Sequence, residues 1–398
     1  MRKIFVLTSV LGFAAAQFLQ IAWISKAYGA DVLGAYGLIV GVTGPLLAFL
    51  SVSQRYSILV EENFGDKIQS VARAGILLGG LLLYVVVQLF FKSWAPAMLV
   101  MVLLVGLNKI LEANFELKVW EFQRDDRWRE FAFGSICRIF PAFISIGLGW
   151  VLDLALNSYL LTLLSMSILC QINLSLRGGR NKKSESISFS RLLALIISLV
   201  PIGFSAGLES WAVIWPRFFI EGNSGLQDVG RFLLFTQISA IFGLVASASL
   251  QSDMPRIKKL HIENDRSGVF KKAMYSSLLL GGVMAVGALI WWFTPSAWIG
   301  RTLGSWVEFK PGEILLLPLI SWLWYCGGYF SNVLAICRGK NWLPYMSACI
   351  AITLCAVLYG VEIADFSAYE KSILALSVAF GFRFSLSATF LFRYLKNG

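Results

Sequence analysis

Phe13–Lys26 reads FAAAQFLQIAWISK, and Phe204–Arg217 reads FSAGLESWAVIWPR. The two stretches have equal length, open on Phe-small-Ala, carry Trp inside and close on a cation. Each leads into a related turn: Ala30-Asp31-Val32-Leu33-Gly34-Ala35-Tyr36-Gly37 after the first, Leu226-Gln227-Asp228-Val229-Gly230-Arg231-Phe232 after the second. The second copy carries about five extra residues, around Glu221 to Gly225. Internal repeats of this kind, weak in sequence and carried by apolar helices, are a common plan of membrane transport proteins. The repeat divides the chain into an amino-terminal lobe, 1–188, and a carboxy-terminal lobe, 189–398.

Composition agrees with a membrane setting. Of 398 residues, 57% are hydrophobic and 14% charged, where a soluble domain has about a quarter charged. This excludes an ordinary cytosolic enzyme and a disordered chain. The net charge of +11 does not indicate nucleic acid, because the cations lie thinly between long apolar runs. About 20 apolar residues span the hydrocarbon core, and the runs predict an all-α protein with twelve spans: 4–24, 33–53, 72–91, 95–115, 131–151, 156–175, 191–214, 230–250, 273–294, 313–334, 343–361 and 372–392. The third and fourth are divided only by Lys92-Ser93-Trp94 and Pro96. The basic start Met1-Arg2-Lys3 with Ala14-Ala15-Ala16 imitates a signal peptide, but the apolar run continues to Trp23 and is read as an uncleaved first helix. Six spans in each copy give the two lobes the same orientation, related by an axis along the membrane normal.

Charge sets the expected topology. With the amino terminus inside, 24 of the 34 Lys and Arg residues fall in cytoplasmic segments, 7 in outer loops and 3 (Lys109, Arg138, Arg383) within spans. The positive-inside bias places both ends in the cytoplasm. The longest inner connection, about 251–272, reads as a solvated amphipathic linker. The six cysteines form no metal-type CxxC pair and the sole histidine is His261, so a zinc site or a histidine triad is not expected. No glycine-rich phosphate loop is present, which excludes an ATP-driven pump in one chain. No cofactor is expected, although coupling to a proton or sodium gradient fits this class.

The first helix, short outer loop and Gly-x-aromatic turn, repeated at Asp228-Val229-Gly230-Arg231-Phe232 with Pro255 closing the following helix, resemble the O-antigen and exopolysaccharide flippases. These belong with the multidrug/oligosaccharidyl-lipid/polysaccharide exporters, alongside multidrug/toxin-extrusion antiporters. The resemblance implies two six-helix lobes around a central cavity. It also implies a polyprenyl-pyrophosphate-linked oligosaccharide as substrate, moved from inner to outer leaflet. Membrane lipids, a polysaccharide polymerase and a chain-length regulator would be the partners, with no nucleic acid.

Ionisable residues in spans are functional candidates because they are costly there. Lys26 and Arg217, at matching repeat positions, would grip a pyrophosphate by charge-assisted hydrogen bonds; snorkelling to the headgroups is the alternative. Arg55, at the inner end of the second span, resembles a cationic position of related flippases and also satisfies topology. Arg138 lies deeper in its span. Gln17 and Gln20 would line a hydrated cavity or bridge helices. Trp211 and Trp215 would stack on sugar rings or form an interfacial belt. For ion coupling the candidates are Glu209, embedded in the seventh span, and Glu112, which shares a helical face with Asn108, Lys109 and Glu116. The plainer reading of Glu112 is an ion pair on a helix that projects beyond the bilayer. Two rivals stand beside the flippase: a multidrug/toxin-extrusion-type small-molecule antiporter, and a membrane polymerase or ligase using a lipid-linked glycan. The outer loops are short for the latter.

Overall fold

A computed structural model describes residues 2–50, 96–124, 127–177, 189–294, 296–307, 309, 311–339, 342–360 and 366–396. Every regular element among them is helical: α1 Arg2–Tyr28, α2 Ala30–Leu50, α3 Pro96–Arg124, α4 Trp128–Leu152, α5 Leu156–Arg177, α6 Phe189–Ser224, α7 Leu226–Ile262, α8 Arg266–Trp292, α9 Ser296–Leu303, α10 Pro311–Arg338, α11 Trp342–Gly360 and α12 Ala368–Lys396. Eleven of the twelve expected spans fall on these long helices, and the third, 72–91, lies outside the described residues. Seven helices hold a stretch long and apolar enough to cross a membrane by length and composition. This is a multi-pass, all-helical membrane protein.

The helices overrun the apolar runs that announce them, because glycine rather than polarity ends them. α1 stops at Gly29 and α6 at Gly225, with φ of +87° and +86°. Only glycine takes that conformation without a Cβ penalty. The hydrogen bonds around the two joints correspond: Gly29 N donates to Ser25 O and Leu33 N to Gly29 O, while Gly225 N donates to Glu221 O and Val229 N to Gly225 O. Four of the five extra residues of the second copy, Glu221 to Ser224, are therefore the last turn of α6, which Gly225 closes. α7 likewise does not close at Pro255 but runs to Ile262. The expected linker at 251–272 is two helix ends joined by a tight turn. There Asp265 Oδ1 accepts from Gly268 N at 2.8 Å, an N-terminal cap, and Asp253 holds Lys272 at 2.7 Å across the hairpin.

The chain forms two compact units, Met1–Gln20 with Ala35–Trp211, and Ile21–Gly34 with Ala212–Gly398. These limits differ from the repeat boundary at 188/189, since they cut within α1, α2 and α6. In the first unit α3, α4 and α5 pack on one another around Phe115, Val119, Phe122, Phe131 and Leu174. In the second, α10 packs against α7, α8 and α12, around Ile257, Val269, Tyr329, Phe330, Val333 and Leu391. Close approach of α10 to α12 needs Gly327, whose Cβ would lie 3.3 Å from Phe384 N. Arg383 does not snorkel to the surface: it is 3% exposed and its Nε donates to Ser331 Oγ at 3.3 Å.

At the α1–α2 joint, α2 crosses the start of α7 at van der Waals limit. A Cβ on Gly34 would sit 2.0 Å from Leu226 O, and one on Gly230 2.6 Å from Ala30 O. The second unit is also tied together near this joint by Arg231, whose guanidinium meets both Glu313 oxygens at 2.8 and 3.0 Å. The same group lies 4.5 Å above the Tyr369 ring. Glu313 is 6% exposed, so this pair fastens α7, α10 and α12 in a dry setting.

A candidate polar cleft in the first unit

Four helices converge on a narrow cleft of about 20 Å³, room for about one water molecule. Phe13, Gln17 and Gln20 reach it from α1, Asn108 and Glu112 from α3, Arg138 from α4 and Ser167 from α5. The remaining wall is apolar, including Phe115, Pro141, Ala142 and Leu163. Helical spacing explains the α3 contribution: Asn108, Lys109, Glu112 and Glu116 are separated by the three- and four-residue steps that share a face.

The polar groups form an ordered array. Lys109 Nζ meets Glu112 Oε2 at 2.7 Å. Asn108 Nδ2 donates to Glu112 Oε1 at 3.1 Å, and Ser167 Oγ donates to Asn108 Oδ1 at 2.9 Å. Both carboxylate oxygens of Glu112 thus accept from protein donors. Arg138 donates to Glu116 Oε2 at 3.3 Å, and its guanidinium carbon stands 3.4 Å over the Phe13 ring. The Arg138 Nε–H is buried and has no hydrogen-bond partner among the described residues. An unmade bond to a buried donor costs about 1–3 kcal/mol; the Nε–H of Arg231 is in the same state.

Three of the residues expected from sequence, Gln17, Glu112 and Arg138, therefore meet in one place. Gln20, 4% exposed, joins them. The Lys109–Glu112 ion pair is partly buried among the helices of the first unit rather than fully solvated. Phe13 and Ser167 were not expected. Phe13 had a visible signal as the first residue of the repeat, whereas a single serine in an apolar span gives none.

The other candidates lie elsewhere. Lys26 is exposed, whereas Arg217 is 4% exposed and donates to Thr236 Oγ1 at 3.4 Å. Their different settings follow from the helical insertion. Lys26 precedes its glycine joint by three residues and Arg217 by eight, a difference of about 7.5 Å along a helix. Trp215 Nε1 donates to Tyr359 OH at 3.1 Å. Trp211 and Glu209 are partly buried on α6, and Arg55 lies outside the described residues.

Comparison with known proteins defines the fold first. Over 100% of this chain and 96% of theirs, a mutant of the Vibrio cholerae MATE transporter VcmN (12% identity) and an outward-facing multidrug resistance MATE family transporter of the MOP superfamily (10% identity) both superpose with TM-score 0.63. An inward-facing MATE family transporter gives 0.56. The chain has the transporter fold of these proteins, in keeping with twelve helices in two lobes. In sequence it is similar to the capsular polysaccharide biosynthesis protein CapF of Staphylococcus aureus, at 21% identity over 356 residues, 87% of each chain. No family model matches.

Proposed function

We propose that this protein is a flippase that carries a polyprenyl-pyrophosphate-linked oligosaccharide, an O-antigen or exopolysaccharide repeat unit, from the inner to the outer leaflet by alternating access. No bond is made or broken. The observation that carries the reading is Arg138: a partly buried cation in a polar cleft, with one donor unsatisfied, on a chain whose similarity to a capsular polysaccharide protein covers 87% of its length. An anionic diphosphate supplies the acceptor that Arg138 Nε lacks, and Gln17, Gln20 and Asn108 offer hydrogen bonds to sugar hydroxyls. Arg217, Lys26, Arg55, Trp211 and Trp215 remain candidate substrate contacts along the route.

The membrane potential favours the outward step, since each negative charge leaving an inside-negative compartment gains about 2.3 kcal/mol per 100 mV. Coupling is then required for resetting rather than for carrying the load. We assign it to Glu112, with Glu209 as the alternative. A proton on Glu112 cancels the charge that holds Lys109 and loosens the α3 array. In this reading the chain lies in the inner membrane with both ends cytoplasmic and the repeat halves acting as the two moving lobes.

The test is reconstitution of the purified chain in vesicles with a fluorescent polyprenyl-diphosphate saccharide in one leaflet. Appearance of the sugar in the other leaflet, lost in Arg138→Ala, is the expected result. Absence of any accelerated transfer by the wild-type chain overturns the proposal. The carboxylate Glu112 within the cleft, on a MATE-type fold, favours a second reading: antiport of cationic small molecules. Dye efflux by the same vesicles, with no glycan transfer, would establish it.

A further inference from the structure

The segment between α8 and α10 carries large exposed side chains beside buried ones. α9 is a short helix whose two sides differ. Ile299 and Leu303, one turn apart, are 8% and 2% exposed, whereas Trp298 is 60% exposed, with Arg301 and Thr302 exposed beside it. Positions 298, 301 and 302 share one face by helical spacing. The Thr302 hydroxyl donates to Trp298 O, so among the described residues of this face the outward polar groups are the Arg301 guanidinium and the Trp298 indole N–H. Immediately before α9, at the end of a membrane-spanning helix, Trp292 and Phe293 are 47% and 76% exposed. Two indoles, a phenyl ring and one arginine are thus exposed within ten residues of chain.

The inner side of the same segment is fastened to α1. Ser25 Oγ donates to Leu303 O, and Trp306 Nε1 donates to Ser25 O at 3.3 Å. The turn that allows this is Gly304, at φ +113°, where a Cβ would also lie 2.7 Å from Trp306 Nε1. Ser25 O is the acceptor that also receives Gly29 N, so the segment grips the residue on which the α1–α2 joint closes.

We propose that α9 is an interfacial anchor seated in the phospholipid headgroup layer of the leaflet on the side of the α1–α2 joint. Its partner is the lipid surface: the Trp298 and Phe293 rings lie at the ester level, and Arg301 pairs with lipid phosphate. Indoles favour this layer because one edge is apolar and the other donates a hydrogen bond. An amphipathic helix with a cation on its outer face lies in the interface plane. Charge and depth agree, since Arg301 is on the face that carries Trp298 and next to the end of the α8 span. The strap through Gly304 and Trp306 then holds the outer end of α1 at a fixed height relative to the lipid.

The experiment places a genetically encoded coumarinyl amino acid at position 298, and in a second chain at position 301. Both full-length chains are reconstituted in vesicles of phosphatidylcholine brominated either near the ester end or near the methyl end of the acyl chain. Greater loss of fluorescence with ester-end bromine at either position is expected. Equal emission in brominated and unbrominated vesicles at both positions, or stronger loss with methyl-end bromine, overturns the anchor. Two insertion sites keep the test valid if one substituted chain does not fold.

Discussion

Gly34 and Gly230 hold reciprocal positions: each lies against the first backbone carbonyl of the helix that carries the other, Leu226 O for Gly34 and Ala30 O for Gly230. The obstacle in both cases is backbone, which no side-chain rotation removes. Gly34→Ala and Gly230→Ala are expected to force α2 and α7 apart, at the cost of about 1–3 kcal/mol typical of overpacking. Lower melting temperatures of both detergent-solubilised variants would show it. Gly222→Ala, where nothing lies within 4 Å, should be neutral or slightly stabilising, because alanine favours a helix over glycine.

The Arg138 donor gives a sharper expectation for transport. Arg138→Ala should lower glycan transfer by roughly ten- to hundredfold, the rate equivalent of a charge-assisted hydrogen bond of about 1.5–3 kcal/mol. Arg138→Lys should restore little, since lysine has neither the planar stack on Phe13 nor the Nε–H. Full activity in the lysine variant would show that charge alone suffices.

Lys109 and Glu112 should behave as a coupled pair. Removing one partner leaves a charge in a poorly solvated site, a loss of about 3–5 kcal/mol where burial is complete, less at the 14% and 18% exposure seen here. Lys109→Met and Glu112→Gln are each expected to destabilise the chain, and the double variant to recover part of the loss. A thermal-unfolding double-mutant cycle measures the coupling. Additive losses would contradict the pairing.

Arg231 and Glu313 make the parallel case in the second unit. Glu313→Gln should cost more stability than Tyr369→Phe, because the Tyr369 hydroxyl reaches Glu313 only at 3.4 Å while Arg231 meets both oxygens. Comparison of the two melting temperatures decides it.

Much of this architecture can be read from the chain itself. Hydropathy locates the spans and the repeat marks where the two joints fall, whereas the glycines that make them, Gly29 and Gly225, emerge only from the backbone. Helix ends were less legible: Phe218 to Ser224 continue α6 although apolar character fades, and only Gly225 stops it. Lys26 and Arg217 share a register in the motif yet stand in different settings for the same reason, since a helical insertion moves a residue along the axis without altering the motif. Gln17, Glu112 and Arg138 were each recognisable as polar residues out of place. That they share one cleft depends on how α1, α3 and α4 pack, which no local spacing encodes.

The reciprocity of the Gly34 and Gly230 crossing has a consequence for symmetry. A contact in which residue i meets j while j's counterpart meets i's is isologous, the form taken when two identical chains pair about a two-fold axis. Here both sides of such an interface lie in one polypeptide, each with its own joint glycine, Gly29 or Gly225. The crossing thus has the form of a dimer contact made within one chain.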